Sequence, residues 1–216
     1  MRKIIYTAIM GNYDRLLPIP EEYRRGWEAV CYTDQKHLKR GSWELVQISD
    51  PDLLGAGLSK KIKILSHLYA MADVSLWVDA SLKVLGPLDE VAGYFAKDRL
   101  TLLRHPERNC VYEEMDACIA LKKADPAKIE LQRAKYRKMG FPENFGLFKA
   151  GILARWQTPE VIALNDQWWK ETRIYKTWRD QLTLPLALWK LNFTPKVISD
   201  YFTRRYFKQM KVHRGK

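Results

Sequence analysis

Cysteine is scarce and poorly spaced. The chain has 3 in 216 residues, Cys31, Cys110 and Cys118, an odd number with no Cys-x-x-Cys pair. That count argues against a disulfide framework or a structural zinc site and makes a reducing cytoplasm the expected compartment. Long apolar runs are missing as well: none approaches the ~18 residues that a membrane-spanning helix needs. The opening MRKIIYTAIMGNYD has two positive charges, but its apolar stretch is short and carries no small-residue cleavage pattern. It reads as a first β-strand, not as a signal peptide. No Gly-x-Ser-x-Gly elbow supports a serine hydrolase. No zinc-finger, RNP or Gly-x-x-Gly signature supports a nucleic-acid-binding module. Acids are also in deficit, with 25 Asp plus Glu against 37 Lys plus Arg and a net charge of +12. Residues 201–216 (YFTRRYFKQMKVHRGK) contain no acid at all and supply half of that excess.

What is present bounds the rest. Apolar residues make up 47% of the chain and aromatics 12%, enough for one globular core and against a disordered class. A basic surplus points to a polyanionic partner: nucleic acid, a phosphorylated small molecule or an anionic membrane. Periodicity alternates between strand and helix. Residues 3–10, 27–33, 43–48, 74–79, 100–104 and 147–154 read as strands, rich in β-branched and aromatic side chains. Residues 58–72 carry Leu58, Ile62, Leu65, Leu68 and Tyr69 on one helical stripe, with Lys60, Lys61 and Lys63 off it. Further helices are expected at 113–124, at 126–139 behind Asp125-Pro126, from Pro159 through Trp168 and Trp169, and at about 180–191. This order predicts an α/β domain over 1–200 with a mixed, mostly parallel sheet flanked by helices, and a basic aromatic tail over 201–216. Ligands in such sheets bind where the carboxyl ends of the strands meet their loops.

Three polar stretches fall at such ends. Gly11-Asn12-Tyr13-Asp14 follows the first strand, either as a simple turn or as a ligand contact in which the Tyr ring stacks. Asp79-Ala80-Ser81 closes an apolar strand, and its two polar side chains point the same way. It either caps a turn or holds a hard cation against phosphate oxygens. Arg179-Asp180-Gln181 sits at a helix start, where an acid is favoured by the dipole and a carboxylate can also act on a sugar hydroxyl.

The combination YTAIMGNYDRLLP, WEAVCYTD, KKIKILSH, SLWVDASL, LLRHPERNCVYEE and WRDQLTLP resembles the glycosyltransferase-like domain of bacterial capsule and lipopolysaccharide clusters. The same family includes plant proteins described as hexosyltransferases. The resemblance covers the chain to about residue 195 and implies a GT-A type fold, a nucleotide-diphospho-sugar donor and a glycan or lipid-linked acceptor. It implies that Thr7, Asn12 and Tyr13 line the nucleotide site after the first strand, and that Asp34 ends the second strand there. Asp79, with Ser81 where related enzymes carry a second acid, corresponds to their metal motif and implies manganese or magnesium. Lys60 and Lys63 would neutralise the diphosphate, His105 would meet acceptor or phosphate, and Arg179, Asp180 and Gln181 would lie beneath the sugar with Asp180 as the key carboxylate. His213 is similar to a late metal-binding His of some related enzymes, although its surroundings depart from that pattern. One of Trp168 and Trp169 is expected in the core and the other as a sugar platform. In the last segment, Tyr201, Phe202, Tyr206 and Phe207 interleave with cations as in a peripheral attachment to an inner membrane. The other readings are a nucleic-acid-binding module and a non-catalytic or hydrolytic member of the same fold.

Overall fold

The computed structural model describes residues 1–11, 14–97, 99–199 and 201–210. Its centre is β1 (Lys3–Ile9), where six of seven side chains are buried, and β4 (Val74–Val78), where all five are. Burial on both faces explains why these strands read as continuous apolar runs with no polar alternation. β2 (Glu28–Thr33) pairs parallel with β1, and β3 (Glu44–Gln47) parallel with β2. On the other side β4 is parallel to β1, β7 (Phe148–Trp156) is antiparallel to both β4 and β6 (Leu100–Arg104), and β8 (Lys196–Ile198) is parallel to β6. The seven-stranded order is β3-β2-β1-β4-β7-β6-β8, with a separate pair of β5 (Leu82–Val84) and β9 (Phe207–Gln209).

The antiparallel insertion of β7 matters for the site. It places the first half of β7 beside the carboxyl end of β4, so that the Asp79 amide donates to the Gly151 carbonyl at 2.8 Å.

Helices α1 (Gly55–Ile64), α6 (Pro159–Tyr175) and α7 (Asp180–Lys190) cover one face of the sheet, packing Leu58, Ile62, Leu164, Trp168 and Leu184 with Tyr6 and Trp77. The helix expected over 58–72 starts earlier, at Gly55, and breaks at Leu65 (φ −85°, ψ 56°) before a single turn, α2 (Ser66–Tyr69). Next to that break the Lys63 carbonyl accepts the Tyr6 hydroxyl at 3.0 Å, a tertiary contact that sequence periodicity does not encode. Helices α4 (Val111–Ala120) and α5 (Pro126–Lys138) build a third cluster with the buried Leu182 and Leu186 of α7. Asp125 caps α5 as expected, accepting from the Ala127 amide at 2.9 Å.

The opposite face packs Trp27, Trp43, Leu88 and Val91 from the loops and α3 (Leu88–Ala92) against Ile5, Ile9 and Leu76. This face also corrects the reading of the last segment. Phe202 and Tyr206 of α8 (Tyr201–Tyr206) and Phe207 of β9 are buried in it, at 5%, 3% and 3% exposure. At about 1.5–3 kcal/mol for each large apolar side chain removed from water, residues 201–209 are part of the domain. Three of the four aromatics expected at a membrane interface therefore face the core, and Tyr201 alone is open. Residues 211–216, including His213, lie outside the described residues. No described helix is long and apolar enough to cross a membrane.

All three thiols are free and buried. Burial pushes Cys31 up to about 12 and also raises Cys118, so thiolate is scarce at neutral pH. The native protein should release no colour from a disulfide thiol reagent at pH 7.5 over minutes, and three equivalents once unfolded in guanidinium. A fast native equivalent would show that one of these packing regions opens locally.

Candidate functional site

Two adjoining cavities open at the carboxyl ends of β1 and β4. The larger, about 580 Å³, runs between Ala8–Met10, the first turn of α1, and the Trp178–Arg179 turn that enters α7. The smaller, about 230 Å³, lies under Lys149, Ala150 and Gly151 of β7 and against the start of α7. Lys60, Asp79 and Arg179 line both and so mark where they join. Together the volumes lie in the range of sites for ligands of drug size or larger.

At the junction four charged side chains interlock. Asp180 Oδ2 meets Lys63 Nζ at 2.5 Å and Lys60 Nζ at 2.9 Å. Lys63 Nζ also reaches Asp79 Oδ1 at 3.3 Å and lies 5.5 Å from the centre of the Trp77 ring. The Trp77 indole Nε1–H donates to the same Asp79 oxygen at 2.7 Å. Three elements deliver these groups: Lys60 and Lys63 come from neighbouring turns of α1, Trp77 and Asp79 from the end of β4, and Asp180 from the first turn of α7. The α7 dipole adds to the preference for a carboxylate at that place.

Burial makes these charges strong. The Lys63 side chain is 2% exposed and that of Asp180 6%, whereas Lys60 keeps 21% open toward the cavities. Burial by itself raises the Asp180 carboxyl, but Lys60 and Lys63 outweigh it and hold the group well below the usual carboxylate range. Burial also opposes the charge on both lysines. It wins at Lys60, whose value falls, while for Lys63 the carboxylates of Asp180 and Asp79 prevail and raise it. The smaller cavity carries Lys60, Lys63, Lys149 and Arg179 against Asp79 and Asp180, a formal excess of two positive charges. Such an excess in a low-dielectric recess favours a dianionic ligand group.

The remaining expected residues divide. Arg179 and Gln181 line the smaller cavity, where the Arg179 guanidinium meets Gln181 Oε1 at 3.4 Å. Ser81 lines the larger one. Lys61, in contrast, turns away to an ion pair with Asp50 at 2.5 Å. Asn12 and Tyr13 lie outside the described residues, and Asp34 is exposed and holds the turn before them, accepting from the Gly11 amide at 2.7 Å. Thr7 points to the opposite face of the sheet from Tyr6 and Ala8 and is 1% exposed; it lines neither of these cavities but a small adjoining recess with Asp79 and Ala80. His105 lines neither cavity. Its Nδ1 accepts the Glu107 and Arg108 amides at 3.3 and 3.1 Å and so organises the turn before α4. Trp168 and Trp169 are both buried, so neither serves as an open platform.

The family resemblance implied a divalent cation at Asp79 with Ser81 beside it. Hard cations of this kind take about six oxygens, commonly one or two carboxylates completed by waters and substrate phosphates. Asp79 Oδ1 receives the Lys63 ammonium and the Trp77 indole, Asp180 is held by two ammoniums, and no group of three or more His, Cys, Asp or Glu forms among the described residues.

Sequence reasoning missed Trp77, Lys149, Gly151 and Trp178. A signal existed for two of them. Trp77 stands two residues before Asp79 on an extended strand, hence on the same face. Gly151 is a glycine inside a strand pattern, a mark of close backbone approach, and a Cβ there would lie 3.3 Å from Asp79 Oδ2.

No curated protein matches the chain. The family profile of the TOD1/MUCI70, glycosyltransferase-like domain matches residues 4–215. That span takes in the described strands but for Lys3 at the start of β1, both cavities and the charged quartet, and it agrees with the α/β architecture and supports a glycosyltransferase. The chain belongs to the TOD1/MUCI70 glycosyltransferase-like domain family.

Proposed function

We propose that the protein transfers a hexose-type sugar from a nucleotide-diphospho-sugar to a hydroxyl of a glycan acceptor. The observation that carries this reading is the electropositive recess built around a buried carboxylate held between two ammoniums. Glycosyl transfer develops negative charge on the departing diphosphate and positive, oxocarbenium-like charge on the sugar. Lys60, Lys149 and Arg179 suit the first charge, and Asp180 suits the second. The same electrostatics argue against Asp180 as the proton acceptor. An efficient general base has a pKa near the operating pH, and this carboxyl is held far below it by two ammoniums. With both ammoniums on it, this arrangement favours a role for Asp180 by charge and position over one as proton acceptor. Lys63, almost fully buried, keeps Asp79 and Asp180 in register, while Lys60 has the open face needed to turn toward an arriving diphosphate.

The test is a calorimetric screen of uridine and guanosine diphosphate sugars, with and without manganese. Saturable binding of one donor to the wild type, weakened about tenfold or more in Lys60→Met, is the expected result. Salt-sensitive oligonucleotide binding with no heat from any nucleotide sugar would replace this reading with a nucleic-acid-binding one.

A further inference from the structure

Trp178 has the conformation of a residue placed for a ligand. Its φ of 54° lies in the left-handed region, which bulky side chains avoid because Cβ crowds the backbone. Such geometry survives only where neighbours over-determine it, and it concentrates at ligand-contacting positions. Two neighbours do so here. The Trp169 ring stacks on Trp178 at 24° with centroids 6.4 Å apart. Gly57 in α1 leaves room for the ring, since a Cβ there would stand 3.1 and 3.2 Å from its Cζ2 and Cη2. The strain does not serve to hide the indole, which is only half-buried and lines the larger cavity. Lys60 and Arg179 line the same cavity, so an anionic group lodged there would lie near the ring.

We infer that Trp178 is the stacking wall for a ring of the donor, a ring joined to the diphosphate that the neighbouring cations bind. The inference rests on the donor reading above and adds the residue that selects the ring. An indole face in a desolvated cleft attracts a nucleobase or the apolar face of a pyranose, and its rigidity lowers the ordering cost of binding. The turn that strains Trp178 also delivers Arg179 and Asp180, so ring, diphosphate and sugar contacts come from three successive residues.

The test is binding calorimetry with UDP, GDP, UDP-glucose and GDP-mannose on the full chain. Trp178→Ala should weaken the best ligand about tenfold or more, and Trp178→Phe should stay within about threefold of wild type. Gly57→Ala keeps the indole but drives it from its place, and should weaken binding several-fold while thermal unfolding shows the protein folded. Loss already seen with the diphosphates alone assigns the base to the wall; loss confined to the nucleotide sugars assigns the sugar, and either supports the inference. Wild-type affinity in Trp178→Ala, with binding still lost in Lys60→Met, overturns the stacking wall and leaves the donor reading standing. A wild type that binds none of the four overturns both.

Discussion

Asp180→Asn is expected to lower transfer by at least about a hundredfold to a thousandfold and to destabilise the protein at the same time. The activity loss follows from removing one preorganised charge from a water-poor site, an effect of this size where such groups have been deleted. The stability loss follows from geometry. Asp180 receives Lys63 at 2.5 Å and Lys60 at 2.9 Å, and a neutral amide leaves a buried excess of positive charge. Breaking a buried pair from one side costs about 3–5 kcal/mol, on the order of 10 °C in melting temperature for a chain of this size. Single substitution therefore confounds chemistry with folding, and the double variant Lys60→Met, Asp180→Asn separates them. Restoring charge balance should recover part of the melting temperature and none of the transfer. A folded Asp180→Asn enzyme at wild-type rate would remove Asp180 from the mechanism.

The second large effect is expected at Lys63. With 2% of its side chain exposed, it bridges Asp180 and Asp79 from beneath. Lys63→Met leaves the two carboxylates with Lys60, the Trp77 indole and the Gln181 backbone amide as partners, again at about 3–5 kcal/mol. The pH dependence identifies the cause. In the wild type the Asp180 carboxyl is depressed, so its stabilisation is complete above the unfolded value of about 3.9 and lost only as pH falls through the lower folded value. Without Lys63 the folded value rises, and the acid limb of the melting-temperature curve should move to higher pH. Unfolding scans between pH 3 and 8 check this. An acid limb unchanged from wild type would mean that Lys60 alone holds Asp180 in its ionised state.

Much of the architecture was legible because burial leaves a local trace. KIIYTAI and VSLWV announce strands covered on both faces, and Asp125-Pro126 and Thr158-Pro159 announce helix starts. The short elements β5, α3, β8, α8 and β9 carry too few residues to show a period, and their burial is set by distant partners. The aromatic and basic last segment shows the limit: the same Phe202, Tyr206 and Phe207 suit a membrane surface or a core, and only packing decides.

For the site, the sequence by itself determined the chemical stock: two carboxylates at element ends, a lysine cluster before a buried strand, and a family resemblance that ties them to sugar transfer. Tertiary structure alone decided which of them meet. Lys60 and Lys63 converge on Asp180 across some 120 residues of chain because α1 and α7 cover the same face of the sheet. Asp79 joins them because β7 runs antiparallel beside β4 and Gly151 lets its backbone come close. Residue type sets what a group can do, but charge and proton affinity depend on distance and burial, which no local stretch of sequence specifies. That is how Asp180, legible as a carboxylate at a helix start, became an ion held between two ammoniums.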